Sequence, residues 1–158
     1  MKNMPIPDFI VALRRKIGTE LLWLPGVTAV VRRDDEILLV RRADNGRWTP
    51  ITGIVDPGEQ PGTAAVREAK EETGVDISVD RLASAGATDP MVYPNGDRAV
   101  YMDLTFSCTW LSGEAYVADD ESVDVGWFHV DDLPEMPSEL RARIDAVLSG
   151  EVAARFSV

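Results

Sequence analysis

Basic residues are scarce in this 158-residue chain: 16 Lys and Arg stand against 27 Asp and Glu, for a formal net charge of −11. That imbalance argues against non-specific binding to nucleic acid or to an anionic membrane. It does not exclude a small anionic substrate, because a bound cation inverts the local field. Cysteine is nearly absent. Cys108 is the only one, so no internal disulfide can form, and the chain suits a reducing compartment. It falls on an apolar strand pattern, where a cysteine serves as packing. His129 is the only histidine, at a strand end, and neither a Ser/His/Asp nor a Cys/His constellation is available. No apolar run approaches the ~18 residues of a membrane span. The opening MKNMPIPDFI has no signal-peptide core before an A-x-A site. A cytoplasmic protein with no membrane and no nucleic-acid partner is the expectation.

With 45% hydrophobic residues, the chain is one ordinary domain that buries about two-thirds of its unfolded surface. Repeats and low-complexity tracts are absent. Ile6, Phe9, Ile10, Leu13 and Ile17 recur at helical spacing, so residues 7–17 predict an amphipathic helix stopped by Gly18. Runs 27–33 and 36–42 predict a hairpin turning at Asp34-Asp35. Residues 51–55 form a short strand, and 77–88 a weaker one. Tyr93-Pro94-Asn95-Gly96-Asp97 is a turn. It opens an alternation that puts Val100, Met102, Leu104, Phe106, Cys108 and Trp110 on one face. A strand over 123–130 follows, then a helix with Ser138 as its cap and Leu140, Ile144, Val147 and Leu148 on its apolar side.

The densest chemistry lies in GIVDPGEQPGTAAVREAKEETGV, from Gly53 to Val75. Asp56-Pro57-Gly58 signals a turn, and 63–73 a helix stopped by Gly74. Glu68, Glu71 and Glu72 stand at i, i+3 and i+4, on one side of that helix. Like charges so spaced cost roughly 0.2–0.5 kcal/mol per pair. A hard divalent cation offsets that repulsion best, since Mg²⁺ takes oxygen ligands and keeps waters and substrate phosphates among them. A solvated acidic face is the alternative for the three glutamates taken alone. Arg67 can pair with Glu71 at i,i+4.

Gly53, Glu59, Arg67-Glu68, Glu71-Glu72 and Gly74 match, position by position, the signature G-x5-E-x7-R-E-U-x-E-E-x-G-U, with U apolar. A chance match at a given start has a probability on the order of 10⁻⁸ to 10⁻⁹. The segment therefore resembles the Nudix hydrolases. The resemblance implies an α/β fold, an α/β/α sandwich around a mixed sheet, with the short N-terminal helix outside it. The expected division is 1–24 helix and lead-in, 25–150 Nudix domain, and 151–158 tail. It implies Mg²⁺ or Mn²⁺ as cofactor, with Glu68, Glu72 and Glu71 as metal ligands beside a backbone carbonyl, here that of Thr52. Thr52 stands where many relatives carry Gly, and Thr disfavours positive φ. Arg67 and Glu59 become the pair that orients the helix glutamates.

In the family, a distal-loop carboxylate often supplies a ligand or the general base. Glu121 is the first choice here and Asp124 the second, with Glu71 as the other catalytic candidate; a solvated acidic loop is the alternative. Arg41 and Arg42 end a strand, and alternation sends one to each face, where one could meet phosphates. Trp48 either packs beneath the Nudix loop or stacks on a base. The start of the chain (Ile10, Leu13-Arg14, Gly18), the 44–48 run and the Tyr93–Asp97 segment resemble a bacterial subgroup labelled MutT-like or ADP-ribose-pyrophosphatase-like. Tyr93 and Asp97 are thus possible substrate contacts, with a plain hairpin turn as the alternative. The implied function is a pyrophosphohydrolase acting on a nucleoside diphosphate linked to a further group, ADP-ribose or a related nucleotide sugar first. A nucleoside-triphosphate or oxidised-nucleotide hydrolase is the rival, and a non-catalytic nucleotide sensor the rival from another class. The N-terminal helix and Trp23 could serve a homodimer.

Overall fold

The structure, a computed structural model, describes residues 6–158; residues 1–5 of the expected lead-in lie outside the described residues. Helix α1 (Asp8–Ile17) is followed by β1 (Leu22–Arg33), β2 (Glu36–Arg42), β3 (Trp48–Thr49) and β4 (Ile51–Ile54). Then come α2 (Pro61–Thr73), β5 (Asp76–Ala87), β6 (Met91–Val92), β7 (Arg98–Ser112), β8 (Ser122–His129) and α3 (Ser138–Leu148). One mixed sheet runs β3-β2-β1-β7-β5, with β4 on β1, β6 on β7 and β8 on β2. β1 is parallel to β7 and antiparallel to both β2 and β4.

Helices cover both faces. Ala64, Ala65 and Ala69 of α2 pack at 0% exposure over Val27, Ala29, Val31, Leu38, Val40 and Ile51. On the opposite face, Ile144 and Val147 of α3 pack on Val30, Ile37 and Leu39, while Ile10 of α1 packs on Leu24 and Ala99. This is the expected α/β/α sandwich. Each fully buried Val, Leu or Ile stabilises it by roughly 1.5–3 kcal/mol.

Two local expectations need correction, the start of β1 and the cap of α3. β1 starts at Leu22 and runs through Pro25 and Gly26. Pro25 needs no donor there, because its contribution is a carbonyl that accepts from the Val55 N–H at 3.1 Å. The β7 alternation holds, and the face opposite Phe106 and Cys108 is covered as well. Ala99 packs under α1, and Asp103 and Thr105 are buried. Thr28 donates to Asp103 at 2.7 Å, Thr105 donates to it at 2.6 Å, and Arg143 of α3 lies 3.4 Å away. Ser138 does not cap α3. Pro137 holds that position, and no side chain supplies a capping bond.

Candidate active site

The close approach that buries Ala65 and Ala69 also draws in the glutamates next along α2. Glu72 is 3% exposed; the side chain of Glu68 is 13% exposed and that of Glu71 56%. The three share one side of the helix at graded depth. Burial, reinforced by Glu121, Glu68 and Asp119 and only opposed by Arg42, pushes the Glu72 carboxyl well above its ordinary range. Burial likewise pushes Glu68 up to about 7, against the pull of Arg67. The Glu72 carboxylate takes no hydrogen bond or ion pair from any described residue. A buried anion in that condition needs a cation or a proton.

Arg67 organises the rest. Its Nε and Nη2 donate to the two Glu59 oxygens at 2.8 and 2.9 Å, a bidentate pair. Nη1 reaches Glu68 at 2.8 Å and Glu71 at 3.2 Å, and Nη2 also donates to the Ile54 carbonyl at 3.1 Å. Glu59 in turn accepts the Asp56 N–H at 3.0 Å. One guanidinium thus ties the loop to β4 and to two helix glutamates. Because Arg67 stands between Glu68 and Glu71, no three carboxylates among the described residues converge on one point as they stand.

Two glycines of the signature gain specific reasons. A Cβ on Gly53 would come 2.1 Å from the Glu68 carboxyl carbon, so the glutamate packs directly on the strand. Gly74 caps α2 with φ 75°, and a Cβ there would come 2.2 Å from the Tyr116 ring. Beside it, the last carbonyls of α2 accept from the loop after β7: Tyr116 N–H to Thr73 at 3.1 Å, Ala118 N–H to Glu72 at 3.1 Å. That docking brings Asp119 and Glu121 to the acidic face. The Glu121 N–H donates to Asp119 at 3.0 Å, and its carbonyl accepts from Ala43 at 2.9 Å. Burial, then Asp119, raises the Glu121 carboxyl, with Arg42 opposing. Thr52 lies in β4 opposite Thr28, and among the described residues Asp34 is the one non-glycine with positive φ, so the Thr52 backbone is unstrained.

Alternation separates the two arginines as expected. Arg42 lies on the α2 side, half-buried, held by Asp44 through bonds of 2.9 and 2.7 Å. The Asp44 hydrogen bond raises its pKa, helped by Glu121 and Glu72. Arg41 is exposed on the other face, donating to the Gly46 carbonyl at 3.2 Å, with Asp124 as its strand partner. Trp48 pairs with Arg41, so it does not lie beneath the Nudix loop. Its ring meets Phe128 edge-on at 4.8 Å in the α3-side cluster. The Tyr93 and Tyr101 hydroxyls share a 2.6 Å hydrogen bond, and Asp97 lies 3.5 Å from Arg14. His129 is at the far end of β8, exposed beside Asp131. Cys108 is buried and its thiol pushed up to about 12 by that burial. The Tyr116 docking and the Arg14 clamp carry no sequence signal beyond Gly74 and one of two adjacent helix arginines.

Glu68, Glu71, Arg67, Asp119 and Glu121, with Asp56 and the start of α1, surround a cavity of about 300 Å³. Oxygen-only donors of this kind fit a hard divalent cation such as Mg²⁺ or Mn²⁺ and not a soft one.

Sandwich and acidic helix together define a hydrolase of the phosphoric-anhydride class. A family model described as the NUDIX domain matches residues 22–148. A MutT-like protein of Streptomyces ambofaciens is 37% identical over 113 residues, covering 72% of this chain and 68% of that one. The NAD-capped RNA hydrolase NudC of Stutzerimonas stutzeri is 34% identical over 117 residues, again 72% of this chain, which spans only 39% of that relative's length. An ADP-ribose pyrophosphatase structure from Streptococcus suis superposes with TM-score 0.62 at 25% identity, covering 87% of this chain and 96% of that one. The chain belongs to the Nudix hydrolase family, whose members generally use divalent cations. No helix among the described residues is long and apolar enough to cross a membrane.

Proposed function

We propose that this chain is a Mg²⁺- or Mn²⁺-dependent pyrophosphohydrolase of nucleoside diphosphates linked to a further group, with ADP-ribose or a related nucleotide sugar first. The observation that carries it is Glu72, 3% exposed, whose carboxylate takes no hydrogen bond or ion pair from any described residue and feels the charges of Glu121 and Glu68. Glu68, Glu72 and the Thr52 carbonyl, with Glu71 beside them, would hold the cation. Once bound, the cation polarises phosphate oxygens and offsets charge as the phosphorus–oxygen bond breaks. Arg67 and Glu59 keep the loop and helix in register for it. Glu121 accepts the proton of the attacking water. What favours it over Glu71 is that Arg67 already engages Glu71, while the docked loop fixes Glu121 in place.

The ordering of substrates rests on the Tyr93–Asp97 resemblance and on the ADP-ribose pyrophosphatase likeness. NAD falls in the same chemical class, and a net charge of −11 favours the free dinucleotide over RNA that carries it. ADP-ribose, NAD and nucleoside triphosphates at equal concentration, with Mg²⁺ and with Mn²⁺, test the proposal through kcat/KM. AMP plus a sugar phosphate is the expected main product. A triphosphate preferred tenfold would reverse the ordering. Nucleotide binding with no turnover on any substrate would leave the sensor reading.

A further inference from the structure

We infer that Ile6 and Pro7, at the start of α1, form the surface that receives the organic moiety of the nucleotide, so α1 determines specificity from outside the residues that the family model matches. The inference rests on the function proposed above. Of the side chains around the 300 Å³ cavity, those from the Nudix segment and from the loop before β8 are all ionisable; Ile6 and Pro7 are the apolar ones. Carboxylates, with a cation among them, suit the phosphates. A sugar or base gains nothing from them and needs apolar area. Ile6 has it to give, being 47% exposed.

The wall is rigid. Pro7 caps α1, its carbonyl accepting the Ile10 and Val11 N–H groups at 2.9 and 3.1 Å. Ile10 and Phe9 pack with Leu24 and with Ile54, whose carbonyl holds Arg67. Further along, Arg14 donates to the Gly18, Glu20 and Arg98 carbonyls at 3.2, 2.5 and 2.7 Å, with Asp97 nearby. The same contacts that fix the first turn of α1 therefore lead to the residue that orients Glu68. The family model matches from residue 22, so this wall lies outside the residues that the model covers.

Ile6→Ser and Ile6→Leu in the full chain test the inference. Ile6→Ser should raise KM for ADP-ribose roughly fivefold, as loss of about half an isoleucine contact implies. It should leave kcat within about twofold, with the melting temperature and the inhibition constant of inorganic pyrophosphate, which has no organic moiety, unchanged. Ile6→Leu should restore KM. An unchanged KM, or an equal rise in the pyrophosphate constant, would overturn it. Independently of turnover, Mn²⁺ should broaden the amide resonances of Ile6 and Asp8 together with those of Glu68 and Glu71. Sharp Ile6 and Asp8 signals beside broadened glutamates would overturn the wall alone. If all four stay sharp, the metal-site reading fails and this one with it.

Discussion

Replacing Glu72 by Gln should stabilise the protein in EDTA and disable it in Mg²⁺. In the folded state Glu72 is 3% exposed, its carboxylate takes no hydrogen bond or ion pair from any described residue, and it faces the fields of Glu121, Glu68 and Asp119. Gln keeps the volume, removes the charge, and its amide can donate to the Glu68 or Glu121 carboxylate. The relief should amount to about 2 kcal/mol, the net of a removed buried charge and a modest hydrogen bond. For a domain of this size that is a rise in Tm of about 4–8 °C. The sign depends on pH. A carboxyl whose folded pKa is raised holds its proton more tightly in the fold than in the unfolded chain. Its contribution to stability is complete below its ordinary 4.5 and is lost as pH rises through the folded value. The wild type should therefore lose stability from pH 5 to pH 8 while the variant loses less, so their difference is small at pH 5 and largest at pH 8. Thermal unfolding followed by circular dichroism in EDTA at pH 5, 6.5 and 8 measures it. A variant less stable than wild type at pH 8, or a difference independent of pH, would refute the reasoning. In Mg²⁺ the same variant should lose at least about two orders of magnitude in kcat, the scale of a large electrostatic contribution.

Turnover should vanish in excess EDTA and return with Mg²⁺ or Mn²⁺, and either cation should raise Tm; full turnover in EDTA would remove the metal from the mechanism. Arg67→Ala should lower both stability and activity, by about 3 kcal/mol in a urea titration, because it leaves Glu59 and Glu68 without their cation. Gly74→Ala should cost about 1–2 kcal/mol for left-handed backbone. It should also lower kcat by displacing Tyr116 and with it the loop that carries Glu121. Wild-type kcat in a folded Gly74→Ala protein would show that the docking does not set the base.

The Nudix segment was legible in the sequence because its parts are contiguous. On a helix, spacing is geometry, so Glu68, Glu71 and Glu72 had to share a side, and Gly74 had to end it. The reasons for Gly53 and Gly74 were not legible, since one meets Glu68 and the other Tyr116, 42 residues further along. The direction of Trp48 depended on the register of a two-residue strand against β2, which no pattern of two residues can encode. The apolar run 27–33 leaves out the start of β1, since Pro25-Gly26 is locally a turn-type pair. The parallel ladder of β1 with β7 runs from Leu22 to Arg32 regardless. The β7 alternation located one face and hid the other, because a sheet covered on both sides buries Ala99, Asp103 and Thr105 as well.

Glu59, Glu68 and Glu71 are all engaged by one guanidinium, while the deepest carboxylate is engaged by none among the described residues. A fold optimised for stability alone would reverse that, placing the cation where desolvation is greatest. Here Arg67 is spent on the shallower groups, which leaves Glu72 as a buried charge whose repulsion is relieved by protonation or by a divalent ion. Linkage makes the two competitors: whatever a proton contributes at low pH, a cation must displace. Metal affinity should accordingly weaken as pH falls toward the ordinary carboxylate range, and the destabilisation stored at Glu72 becomes binding energy for the ion. On the proposed metal site, relieving that repulsion by Gln should stabilise the metal-free protein and weaken cation binding together.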